Sequence, residues 1–312
     1  MDRQTTGAVL LVRPAAFGFN AEAAKSNAFA TASADPELER KALGEFDALR
    51  TRLSDAGVDI LVLDDTADPP KPDAVFPNNW VSLHADGTMV LYPMATAARR
   101  AERRPDDLKA LLEERGFEVR RTIDLGGHEH EGGFLEGTGS LVLDRPNRRA
   151  FASRSPRTDA RPIAEFDRAM GYETHLFDAF DPEGRPIYHS NVLMSLGTRF
   201  AVLCADAVAA GYREPLKRRI EDSGRELIEV EFGQLSGFVC NVIELGSSNG
   251  PVIAMSVAAR NGFRPDQLRM LERFGEIVDA PVPTIEEVGG GSVRCMIAEI
   301  HLPRSKSSLR GA

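Results

Sequence analysis

Five times along the chain a helix-like run ends at a glycine and passes at once into a short apolar run. The runs are PELERKALGEFDALRTRLSDAG, PDDLKALLEERG, RPIAEFDRAMG, REPLKRRIEDSG and RPDQLRMLERFG, and they end at Gly57, Gly116, Gly171, Gly224 and Gly275. These glycines stand 51 to 59 residues apart. Glycine at that place lets a helix stop in the left-handed conformation and turn into a strand. A period of this length predicts an array of like units rather than a string of unrelated elements.

Between the helices lie apolar strand-like runs, each with a polar residue near its start: NNWVSL, LEGTGSLVL, YHSNVLMSL, FVCNVIEL and SVRCMIAEI. With Asn79, Glu136, His189, Asn241 and Cys295 taken as equivalent, the steps are 57, 53, 52 and 54 residues. Five such units closed into a ring aim these side chains at a common axis. A carboxylate, an imidazole and a thiol meeting there form a nucleophilic constellation.

The repeat spans nearly the whole of the 312 residues, so residues 1–312 read as one domain, with 42% hydrophobic composition to supply a core. A net charge of −9 opposes nucleic acid as a partner. No apolar run is long enough to span a membrane, and MDRQTTGAVLLVRP lacks a signal-peptide layout. Cys204, Cys240 and Cys295 are odd in number and widely spaced, which predicts a reduced, cytoplasmic protein without disulfides. Residues 20–37 are Ala- and Ser-rich and predict a loop or loose helix near a site mouth; 124–139 carry six glycines and predict a loop; the polar tail from Arg304 predicts fraying. Monomer and homodimer both stay open.

Gly289–Gly291 lead into the run that carries Cys295, which lets backbone N–H groups approach a substrate and favours a nucleophilic reading over a space-filling one. Cys204 and Cys240 lack that setting and read as core. His189 follows a turn and suits acid–base work with a pKa near neutrality. Glu136, beside a glycine-rich loop, would orient His189, stabilise its charged form and bind the nitrogens of a planar substrate. The HEHE run, His128 to Glu131, could hold a metal on one side of an extended segment, but no third ligand is spaced to join it, and it reads as a polar lip beside Glu136.

The motifs GGGSVRC, YHSN, LEGTGS and PDAVFPNNW resemble those of the guanidino-group modifying enzymes, the pentein superfamily, which includes arginine deiminases, dimethylarginine dimethylaminohydrolases and amidinotransferases. The resemblance implies an α/β fold: a five-bladed pseudo-symmetric α/β propeller of ββαβ-type repeats around a central active site. It implies covalent catalysis by Cys295 with His189 as acid/base and Glu136 as its carboxylate partner, acting on a small amino acid with no metal and no cofactor. Arg157, in SRSPRTD, is similar to a carboxylate-binding arginine of the dimethylarginine hydrolases. Arg99 or Arg100 would assist it, and Asp73 would receive the α-ammonium or line the site.

One departure bears on the substrate. Where those hydrolases carry a carboxylate pair facing a guanidinium, PDAVFPNN places Asn78 and Asn79. A guanidinium offers only N–H donors and suits carboxylates, whereas a ureido group has a carbonyl oxygen that needs a donor. The pattern therefore looks closest to the citrulline-hydrolysing branch, giving ornithine, ammonia and carbon dioxide. The alternatives are an arginine or dimethylarginine deiminase or hydrolase, an amidinotransferase, and a non-catalytic ribosome-binding scaffold, the last opposed by Cys, His and Glu in register. Oxyanion donors are expected from Gly289–Gly291 and from an Asn78 or Asn79 amide.

Overall fold

A computed structural model describes residues 2–305. It is an α/β propeller of five three-stranded sheets. Four sheets are contiguous in sequence: Val81–Leu83, Thr88–Leu91 and Arg121–Asp124; Val142–Asp144, Arg149–Ser153 and Glu173–Phe177; Met194–Leu196, Phe200–Leu203 and Glu226–Glu229; Ile243–Leu245, Val252–Ser256 and Glu276–Ala280. In each, the inner strand pairs antiparallel with the middle one, and the middle strand pairs parallel with the outer one. A helix makes the parallel crossover: Pro105–Glu114, Ala160–Met170, Ala210–Glu221 and Pro265–Glu272. The remaining sheet joins the two ends of the described chain. Ala8–Arg13 pairs parallel with Asp59–Asp64 across the helix Leu38–Asp55, and antiparallel with Ala298–Glu299, where Val9 faces Glu299.

The helices follow their local code. Pro105 opens its helix with Asp106 and Asp107 in the first turn, and Leu108 and Leu112 bury one face. Asp159 caps Ala160–Met170, which buries Ile163, Phe166 and Met170. Gly57, Gly116, Gly171 and Gly224 follow their helices with positive φ, as the repeat predicts. Gly275 differs. It has no positive φ, and a Cβ there would lie 2.7 Å from the Pro251 carbonyl oxygen, so glycine serves close approach instead.

The inner strands are shorter than the apolar runs suggest, two or three residues each. A turn of helix replaces the start of the run: Pro77–Asn79, Gly137–Ser140 and Ser190–Val192 are helical, and residues 293–296 form a turn. The polar residues thus lie on turns ahead of the strands. Glu136 stands six residues before its strand at Val142, and Asn79 two before Val81, so the assumed equivalence slips between units. Residues 124–139 are likewise more ordered than expected, with a 3-10 helix over Gly126–Glu131. Arg304 is held by donation to the Arg115 carbonyl (2.8 Å) and Asp59 Oδ2 (2.6 Å); the expected fraying beyond Ser305 lies outside the described residues. Among the described residues no helix is long and apolar enough to cross a membrane.

Candidate active site

The inner turns converge on a narrow cavity whose open space, about 20 Å³, is little more than one water needs. Its walls include Asp73, Asn79, Arg99, Arg157, Tyr188, His189, Gly289–Gly291 and Cys295. Segment 20–30 roofs it with Asn20, Ala23, Asn27 and Ala30, as its composition suggested. The roof is tied down by the walls: Asn20 Nδ2 donates to Asp73 Oδ2 (2.8 Å), and Asn27 Nδ2 donates to the Gly290 carbonyl (3.2 Å).

Cys295 and His189 face this one cavity from different blades, with Glu136 directly behind the imidazole. Glu136 Oε2 lies 2.8 Å from His189 Nε2, and Glu136 Oε1 accepts from the Ala95 N–H at 3.1 Å. Burial opposes the charge on Glu136, but Arg157, the His189 hydrogen bond and Arg99 outweigh it and hold the carboxyl well below its usual range. An ionised acceptor at Nε2 makes that nitrogen the N–H of the neutral ring, leaving Nδ1 free to exchange protons. Burial pushes the imidazole down to about 4 despite the Glu136 bond, so His189 is a neutral base at rest and not the near-neutral titrating group that the sequence suggests. Glu136 is fully buried and does not line the cavity, so it orients His189 and does not reach substrate nitrogens. Gly139 makes the fit possible: a Cβ there would lie 2.4 Å from Asn79 Nδ2 and 2.8 Å from His189 Nδ1.

The two arginines of the ARR run part company. Arg99 is buried and enters the cavity wall, but four of its five N–H groups are taken. Nε and Nη2 grip Glu102 at 2.9 and 3.0 Å, and Nη1 donates to Asn79 Oδ1 at 2.8 Å and lies 3.4 Å from Glu136 Oε2. It thus lacks the free pair of N–H groups that a bidentate carboxylate anchor needs. Arg100 points away, to Glu129 Oε2 (3.3 Å) and the Met94 carbonyl (3.0 Å), and is not in the cavity wall. Arg157 does line the cavity, stacked over the Tyr188 ring at 4.9 Å, with three of its five N–H groups donated to Ser26 Oγ, the Ala23 carbonyl and Glu136. Asp73 lines the cavity, 3.8 Å from Arg99 Nε; burial raises its carboxyl against the pull of Arg99 and Asn20.

The asparagine pair also divides. Asn79 faces the cavity; Asn78 is wholly buried outside it, its side-chain amide without a partner among the described residues. Of the expected glycine donors, the Gly290 N–H is bonded to the Glu286 carbonyl, while the Gly290 carbonyl accepts from Tyr188 Oη at 2.7 Å. In the HEHE run His128 pairs with Glu165, and Glu129 pairs with Arg100 and Arg103 and accepts from the Met94 N–H, next to the Ala95 N–H that Glu136 holds. Cys204 and Cys240 are core residues, and burial pushes the Cys204 thiol up to about 11 and the Cys240 thiol well above the ordinary value.

Sequence reasoning missed Glu102, which is visible in hindsight as the acid three residues after Arg99. It aimed Asn241 at the axis without a role and gave Asn191 none. Asn191 and Asn241 direct their Nδ2 groups at Cys295 Sγ, from 3.4 and 3.3 Å.

No curated protein sequence matches the chain. Its fold is similar to that of ArgZ, an arginine dihydrolase from the ornithine-ammonia cycle in cyanobacteria (TM-score 0.74, 17% identity, covering 96% of this chain and 41% of that one). The chain thus spans about two fifths of that protein, and it covers 99% of the ArgZ N-terminal domain solved with a covalently bound reaction intermediate (TM-score 0.70, 17% identity, 95% of this chain). It is also similar to DDAH from Pseudomonas aeruginosa solved with citrulline (TM-score 0.63, 15% identity, 96% of this chain and 100% of that one). At such identities the likeness is one of fold. Residues 13–302 match the family described as N,N dimethylarginine dimethylhydrolase, eukaryotic, and the chain belongs to that family, within the guanidino-group modifying superfamily that its motifs resemble.

Proposed function

We propose that this chain is a cysteine-dependent hydrolase that cleaves the ureido group of L-citrulline to L-ornithine, ammonia and carbon dioxide. The observation that carries the choice of substrate is the orientation of Asn79. Arg99 Nη1 donates to Asn79 Oδ1, which leaves Asn79 Nδ2 in the cavity wall as a buried donor against Gly139, with no partner among the described residues. An unpartnered N–H pair in the wall complements a carbonyl oxygen and repels the N–H edge of a guanidinium. The same donors strengthen as the ureido oxygen becomes an oxyanion.

In the reaction the Cys295 sulfur attacks the ureido carbon, and His189 takes the thiol proton and delivers it to the departing nitrogen, which leaves as ammonia. The carbon stays bound to sulfur as a thiocarbamoyl group. Water, giving a proton to His189, then adds to that carbon, and the sulfur departs as thiolate and recovers that proton from His189; the resulting carbamate loses carbon dioxide and frees ornithine. Arg157 has two uncommitted N–H groups for the substrate carboxylate, and Asp73 suits the α-ammonium. Three unpaired cysteines fit a reducing, cytoplasmic setting.

Arginine is the second reading. Asp73, a carboxyl in the cavity wall 3.8 Å from Arg99 Nε, could also accept from the N–H edge of a guanidinium. Ammonia release from citrulline, arginine and dimethylarginine, compared side by side, decides. Citrulline should have the highest kcat/KM, with Cys295→Ala silent; a higher value for arginine overturns the assignment.

A further inference from the structure

The surroundings of the Cys295 sulfur differ from those of the chain's other thiols. Cys204 and Cys240 receive no side-chain amide among the described residues, and burial pushes both upward. Cys295, only 4% exposed, has two carboxamide groups against its sulfur. Asn241 sits on the turn entering the strand Ile243–Leu245, and Asn191 on the helical turn Ser190–Val192 of the preceding blade.

The amide of Asn241 is fixed in one sense. Its Oδ1 accepts from the Arg294 backbone N–H at 3.0 Å, and its Nδ2 donates to the Asn191 carbonyl at 3.2 Å as well as to Sγ. Flipping the group would set oxygen against a carbonyl and NH₂ against an N–H. Nδ2 of Asn241 therefore faces sulfur, and only a donor fits there; Asn191 sets its own Nδ2 at sulfur with its Oδ1 unpartnered among the described residues. Neither asparagine lines the substrate cavity, so substrate is not their partner.

We propose that Asn191 and Asn241 form a two-donor cradle that holds the Cys295 sulfur as thiolate, both when it attacks and when it is expelled. A thiol accepts hydrogen bonds weakly and a thiolate strongly, so paired N–H donors favour the charged form. Aspartate at either position would turn a donor towards sulfur into an acceptor and add like charge. Stabilising a thiolate lowers its intrinsic nucleophilicity, but less steeply than it enlarges the ionised fraction, so a largely protonated thiol gains reactivity overall. On release of the carbon the same donors make sulfur a better leaving group. The cradle rests on no choice between citrulline and arginine, so its test needs no substrate.

The experiment is alkylation of Cys295 by iodoacetamide across pH 5 to 10, read peptide by peptide by mass spectrometry, in wild type, Asn241→Asp and Asn191→Asp. Asn241→Asp keeps the shape and the acceptor for the Arg294 N–H. The expected result in both variants is a pH profile displaced upward, with alkylation at neutral pH slower by about tenfold, the scale of one lost hydrogen bond to a charged group. Labelling of the buried Cys204 or Cys240 reports unfolding, and if one variant unfolds the other carries the reading. A folded variant that alkylates with the wild-type profile overturns the proposal.

Discussion

His189 is a buried imidazole whose neutrality costs the fold a proton. Burial takes it down to about 4, against an ordinary value of 6.5, and Glu136 only partly restores it. Two consequences share this origin. The acid limb of kcat/KM is expected near pH 4 to 5 and not near 6.5, as a pH profile of the free enzyme would show. Stability should fall in the same interval. Between pH 6.5 and about 4 the unfolded chain binds a proton that the fold refuses, so the contribution is complete above 6.5 and is lost as pH drops towards 4. Denaturant midpoints measured at pH 8, 6 and 5 should decline, and His189→Asn should flatten the slope by about one proton. At this scale the sequence was partly legible. Cys295, His189 and Glu136 stood out because their motifs are distinctive. Arg99 and Arg100 could not be told apart, since neighbours on a helical turn diverge by about 100° and only packing decides which one is buried. Asn191 stands in YHSN with no role legible from the sequence, because nothing along the chain says which amide will meet a sulfur.

Among the elements, the helix–glycine–strand joints were the most legible, because left-handed backbone has one inexpensive occupant. Gly171 is a clean example: φ is 68°, and no atom lies within 4 Å of where a Cβ would sit. Gly171→Ala should therefore cost only the backbone term, about 1 kcal/mol, and lower Tm by roughly 2 °C for a chain of this size. Activity should be unchanged, since the joint is remote from the inner turns. A calorimetric scan beside a turnover assay checks both; loss of activity would mean that the outer joints govern the site. Least legible were the helical turns that carry the site. Gly137–Ser140 is four residues long, too short for any periodicity, and GTGS has no helix-forming composition. Apolar residues on both sides made each turn look like the beginning of its strand.

As a whole the molecule is a ring whose first and last strands share a sheet, and each blade presses on two others. No blade can leave without exposing its neighbours. Trp80, buried in the blade of Val81–Leu83, and the thiol of Cys295, next to Ala298–Glu299, are therefore expected to lose their native setting together. In a denaturant titration, tryptophan emission, far-UV ellipticity and residual turnover should trace one curve; an inactive species with native emission would contradict closure. The repeat made five like units legible, but only the pairing of Val9 with Glu299 shows where the ring is sealed. That seal also orders events in time. During synthesis the acid and the base emerge more than a hundred residues ahead of the sulfur, and the strand that finishes the first sheet comes later still. A polypeptide that stops short of that strand is thus chemically unarmed, and reactivity waits until the residues around Cys295 have been made.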